Sequence, residues 1–155
     1  MNQERISAED RLDILDLLGR YFFAVDSGDH AGVIACFTPD GQVVYGTGET
    51  YQGYEGLQVF AAKAIGGAEI KGRMHLNFPL FFRREGHVII LSSYLSAAQW
   101  ALPDPPKAFG SLRYIEDRFI LTPAGWRIQK RSIHLWNSAN VEAVAALVPK
   151  QESKA

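Results

Sequence analysis

Between residues 7 and 26 the apolar positions recur at helical spacing. At about 100° per residue, Ile14, Leu15, Leu17, Leu18, Tyr21, Phe22 and Val25 fall on one broad arc, with Asp26 at its rim. Asp13, Asp16 and Arg20 face away from it. Ser7, followed by Glu9 and Asp10, supplies a capping hydroxyl and first-turn acids, so a helix is predicted from Ser7 onward. Ser27-Gly28-Asp29 ends it, and Asp29 can cap a short second helix over 31–37. Thr38-Pro39-Asp40-Gly41 then reads as a turn.

Beyond that turn the period drops to two. Residues 42–46 and 50–52 read as short strands around Gly-Thr-Gly, and 54–65 as a third helix ending at Gly66-Gly67. From Arg73 strands dominate, over about 73–83, 87–100, 108–121 and 125–137, with turn residues between them. Residues 140–148 can add a short terminal helix. Helices gathered ahead of a run of hairpin-connected strands predict an α+β fold, a curved antiparallel sheet wrapped around the N-terminal helices. One domain is expected over 7–137, with a short helix and tail over 138–155.

In the later strands Val88, Ile90 and Tyr94 point one way while Ile89, Leu91 and Leu95 point the other. A sheet with one solvated face alternates more cleanly, so helices and a pocket are expected on one side and a second subunit on the other, making a homo-oligomer, dimer or trimer.

Composition narrows the classes. The 155 residues carry 16 Lys plus Arg against 17 Asp plus Glu, which leaves no field to hold a polyanion and argues against a nucleic-acid partner. The apolar runs are far shorter than the roughly 20 residues of a spanning helix, so no membrane partner is expected. With one cysteine, Cys36, and a polar opening stretch, the expected location is a cytoplasmic one. The sequence holds no phosphate-binding glycine loop, HExxH or CxxC, and the four histidines lack close ligand spacing, so neither cofactor nor metal is expected.

Two stretches supply candidate chemistry: RYFFAVDSGD at 20–29 and GRMHLNFP at 72–79. Tyr21 lies inside the apolar arc, and Asp26 sits where the helix ends, so both can enter the space between helix and sheet. His75 and Asn77 share one face of their strand, with Met74, Leu76, Phe78, Leu80 and Phe82 on the other. By spacing alone, His75 is as readily a histidine on a solvated strand face, and Tyr21 an ordinary core residue.

The order of motifs resembles a known family. RY-x4-D in the first helix, FTPDG after the second, YQGYEGL into the third, RMHLNFP in a strand and GSLRYIEDRFILTPAGWRIQKR near the end are similar to the SnoaL-like branch of the nuclear transport factor 2-like, cystatin-like α+β superfamily. The resemblance covers 7–137 and implies a cone-shaped pocket between the helices and the sheet. It extends to scytalone dehydratase, bile-acid dehydratase, dehydrochlorinase and polyketide cyclases. It implies an Asp–His pair with a nearby tyrosine, roles that fall on Asp26, His75 and Tyr21 as catalytic residues.

In the dehydrochlorinase relatives a pocket arginine stands where Arg131 stands here; on its residues alone, Arg131 is equally an exposed strand cation beside Lys130. Asn77, Tyr45 and Tyr51 are further substrate-binding candidates. The implied function is a cofactor-free lyase or isomerase that moves a proton next to a carbonyl in a hydrophobic cyclic small molecule, by dehydration, elimination, isomerisation or cyclisation. The alternative is a non-catalytic binding module, or an accessory β-type subunit of a ring-hydroxylating oxygenase, a fold sharing no obligation to catalyse.

Overall fold

A computed structural model describes residues 5–67, 71–99, 108–110 and 112–148. Helix α1 (Ala8–Ser27) begins where Ser7 accepts a hydrogen bond from the Asp10 amide at 3.0 Å. It stops at Gly28, whose φ of 81° lets its N–H turn back onto the Ala24 and Val25 carbonyls. Ile14, Leu17, Leu18, Tyr21, Phe22 and Val25 are buried as the arc requires, while Leu15, at its margin, is 37% exposed. Helix α2 (His30–Ala35) is capped by Asp29, which accepts from the Gly32 amide.

Strand β1 (Phe37–Tyr45) takes in the whole of Thr38–Gly41, which the sequence presents as a turn. Those residues form an irregularity inside the strand, where the register against β7 shifts between Phe37 and Gln42. Gly41 permits this close fold, since a Cβ there would come within 2.9 Å of the Thr38 carbonyl oxygen. Strand β2 (Thr50–Gln52) pairs antiparallel with β1 and leads into α3 (Gly53–Ile65), which buries Leu57, Phe60 and Ala61.

Strands β3 (Met74–Glu85) and β4 (Val88–Gln99) follow. The stretch expected as one strand over 108–121 is two, β5 (Ala108–Phe109) and β6 (Arg113–Thr122), and β7 (Gly125–Leu135) and α4 (Val141–Ala145) close the order. Seven strands form one sheet, β2-β1-β7-β6-β4-β3, with β5 pairing β4. Among the described residues only β1 and β7 run parallel. The sheet curves around α1 and α3, and Ile89, Leu91, Ile115, Phe119 and Ile128 on its inner face join the helices in one core.

Two side-chain placements differ from strict alternation. The β3–β4 register shifts between Pro79 and Phe81, so after the bulge Phe82 pairs with Leu91 on the inner face, beside His75's face and not opposite it. On the outer face Val88 and Ile90 are buried, but by the chain itself. Arg83–Glu116 and Arg118–Glu85 ion pairs bridge from β3 to β6 over β4 at those positions. What stays open there is Met74, Phe78, Leu80, Phe81 and Tyr94, with Phe78 at 56% exposure. No helix of the described residues is long and apolar enough to cross a membrane.

Candidate active site

A cavity of about 630 Å³ lies between α1, α3 and the inner face of the sheet. Tyr21, Phe22 and Val25 reach it from α1, and Phe60 and Lys63 from α3. His75, Arg113 and Arg131 reach it from β3, β6 and β7.

The last turn of α1 sets Asp26 against the first residues of β3. One carboxylate oxygen accepts the His75 backbone N–H at 2.9 Å, and the other pairs with the imidazole Nδ1 at 2.5 Å. Both oxygens of Asp26 are thus engaged by one residue, and both side chains are largely sheltered, at 19% exposure for Asp26 and 15% for His75. Phe22 stacks on the imidazole, with centroids 5.8 Å apart and planes 29° from parallel.

Burial pushes the His75 pKa below the ordinary imidazole value and outweighs the hydrogen bond and charge of Asp26, which act upward. The resting imidazole is therefore neutral at neutral pH, with Nδ1–H held by the carboxylate and Nε2 left with its lone pair. That is the protonation state of a general base.

Tyr21 is buried, and burial pushes its pKa up to about 12 against the lowering effect of Arg131. It is a phenol throughout the physiological range and a hydrogen-bond donor. The Arg131 guanidinium lies over its ring, 3.9 Å from the centroid. Arg131 is not the exposed strand cation that its neighbour Lys130 suggests: it is buried, and its Nε and Nη2 donate to the two oxygens of Asp117 at 2.7 and 2.8 Å. Burial acts against this charge, but Asp117 and Tyr21 overcome it and hold the guanidinium firmly protonated.

Asp117 went unnoticed in the sequence, although a carboxylate between inward Ile115 and Phe119 demands a buried cation at the facing register, and Arg131 stands there.

At the mouth, Lys63 bonds Glu49 at 2.5 Å and sits 4.8 Å from the Tyr45 ring centroid. Tyr45 lines the cavity. Tyr51 does not: its hydroxyl donates to Glu49, and its ring packs 5.8 Å from Phe60. Asn77, on His75's face, is also outside the lining, to which β3 contributes His75 and the residue before the strand, Arg73. Glu49, Lys63, Arg73 and Arg113 do line it, and no local motif distinguished them. Among the described residues no three His, Cys, Asp or Glu side chains gather as a metal site.

Comparison with known proteins places this geometry. The SnoaL-like domain family matches residues 7–132. An NTF2-like protein with a cystatin-like fold from Novosphingobium aromaticivorans is 25% identical, with a TM-score of 0.74 over 92% of this chain and 90% of that one. ActVI-ORFA from Streptomyces coelicolor is 18% identical, with a TM-score of 0.72 over 81% of this chain and 96% of that one. A candidate scytalone dehydratase from Novosphingobium aromaticivorans is 15% identical, with a TM-score of 0.70 over 84% and 89%. The latter two likenesses bear on the fold. A search of curated protein sequences finds no significant match.

Proposed function

The chain belongs to the family of SnoaL-like domains, and from that premise we propose that it is a cofactor-free lyase or isomerase acting on a hydrophobic cyclic carbonyl compound. The observation that carries the reading is the neutral His75 imidazole, clamped through Nδ1 by Asp26 at the wall of the cavity.

His75 Nε2 takes a proton from a carbon next to the substrate carbonyl, and Asp26 stabilises the imidazolium that results. The electron pair released moves onto the carbonyl oxygen, where the Tyr21 hydroxyl donates a hydrogen bond. Return of the proton from Nε2 to another carbon completes an isomerisation. Its delivery to a departing β-hydroxyl completes a dehydration, with water leaving. That His75 engages both oxygens of Asp26 supports His75, rather than Asp26, as the base.

Hydrogen exchange tests this without knowledge of the product. A panel of tetralones and cyclic hydroxy-ketones in heavy water is expected to gain deuterium next to the carbonyl, and His75→Ala is expected to slow this by about 10²- to 10⁴-fold. Equal exchange in His75→Ala would refute the assignment. Loss in Asp26→Asn together with full activity in His75→Ala would transfer the base to Asp26.

The open outer-face row supports a second copy of the chain as partner. Phe78 and Tyr94 stand opposite each other in register, and the Tyr94 ring lies 5.3 Å from Trp136. Sedimentation is expected to give more than one chain mass for the wild type and one for Phe78→Glu; one chain mass for the wild type would remove the proposal.

A further inference from the structure

The charges that line the cavity are unevenly matched. Arg131 is neutralised by Asp117 and Lys63 by Glu49. Arg73 lies two residues before His75 and donates to the Ala64 carbonyl at the end of α3. Arg113 has no ion pair or hydrogen bond among the described residues, although it is half-buried in the cavity wall.

Arg113 opens β6, where its register against Leu95 and Leu135 turns it inward on the side of Ile115 and Asp117. It also lines a second cavity of about 390 Å³, which Ala143 and Val144 of α4 and Leu147 just beyond it cover. Tyr45 lines both cavities as well, and the Arg113 charge is near enough to act on its hydroxyl. A half-desolvated guanidinium with no partner among the described residues, beside a phenolic donor, is an incomplete site for an oxyanion.

We infer that the substrate carries a carboxylate, bound by Arg113 with the Tyr45 hydroxyl at the junction of the two cavities, while its ring extends toward His75. The inference rests on the reading of this cavity as the substrate site, and it narrows that reading to cyclic carboxylic acids. Arg113 lies two strands from β3, roughly 10 Å across the sheet, a separation that side chains reaching inward reduce to the length of one or two fused rings. Arg113 is in this view a specificity residue: it fixes which molecules are held and in which direction.

The test is a calorimetric titration of the full chain with 2-naphthoate and with its uncharged analogue 2-naphthamide, alongside NMR of the His75 ring. Naphthoate is expected to bind about tenfold more tightly than the amide. Arg113→Gln is expected to abolish that preference and leave amide affinity unchanged, while Arg113→Lys retains part of it. No preference in the wild type, or a preference that survives Arg113→Gln, overturns the inference. Failure of both compounds to bind or to shift the His75 resonances overturns it together with the cavity reading. An Arg113-dependent preference in a protein that shows no deuterium exchange leaves the carboxylate site standing and removes the lyase reading alone.

Discussion

Substitution of Asp117 by Asn tests whether the site rests on a buried charge pair. In the native chain the Asp117 and Arg131 side chains are 1% and 2% exposed and meet through two hydrogen bonds of 2.7 and 2.8 Å. Removal of the carboxylate charge leaves a guanidinium buried against the Tyr21 and Phe22 rings with no counter-ion. Breaking such a pair from one side costs about 3–5 kcal/mol, a large part of the roughly 5–15 kcal/mol that holds a domain folded. For a chain of this length that corresponds to a fall in Tm of roughly 6–20 °C.

Thermal unfolding followed by circular dichroism reads this directly, with Asp16→Asn as control. The Asp16–Arg20 pair is 65% and 75% exposed, so its loss is expected to move Tm by no more than about 2 °C. Replacing both partners, Asp117→Leu with Arg131→Met, is expected to recover much of the loss, because no charge is then left buried. A Tm for Asp117→Asn as close to wild type as that of the control would refute the reasoning.

Further outcomes concern pH, the phenol and the helix cap. The pH profile of deuterium exchange rises to its plateau below the ordinary imidazole value of about 6.5, since burial lowers the His75 pKa; Asp26→Asn removes an upward influence and shifts the NMR titration midpoint of His75 lower still. The same shift links to stability: the unfolded chain holds the proton to higher pH than the folded one, so the contribution of His75 is fully present above about 6.5 and is lost as pH falls through the folded value, as urea midpoints across pH would register. Tyr21→Phe, which keeps the ring under Arg131 and removes the hydroxyl, is expected to cost about 1 kcal/mol of stability, far less than Asp117→Asn, and to slow exchange per folded molecule by about 10²-fold. Ser7→Ala removes the cap of α1 and is expected to cost about 1 kcal/mol in urea unfolding, with exchange per folded molecule unchanged.

The sequence by itself determined what depends on near neighbours. The period of α1, its Ser7 cap and its Gly28 stop are interactions within four residues, and they also put Tyr21 and Asp26 on adjoining turns of one helix. The two-residue alternation of β3 put His75 and Asn77 on one face, but which face turned toward the cavity was left to the packing of the sheet. With the order of elements, these were enough for the α+β architecture, and the motifs along those elements carried the resemblance to the family.

What remained undecided in the sequence is what docking and register decide. Asp26 and His75 are 49 residues apart, and their contact exists because the end of α1 lies on the start of β3. The identity of Arg131 as a buried, neutralised charge depends on its pairing opposite Asp117, a register no local pattern states. The bulge in β3 moved Phe82 to the inner face because one extra residue reverses strand parity, and that extra residue is recognisable only against the partner strand. Arg113 is distinguished by having no partner among the described residues, a property of the space around it that arises only when the strands are packed.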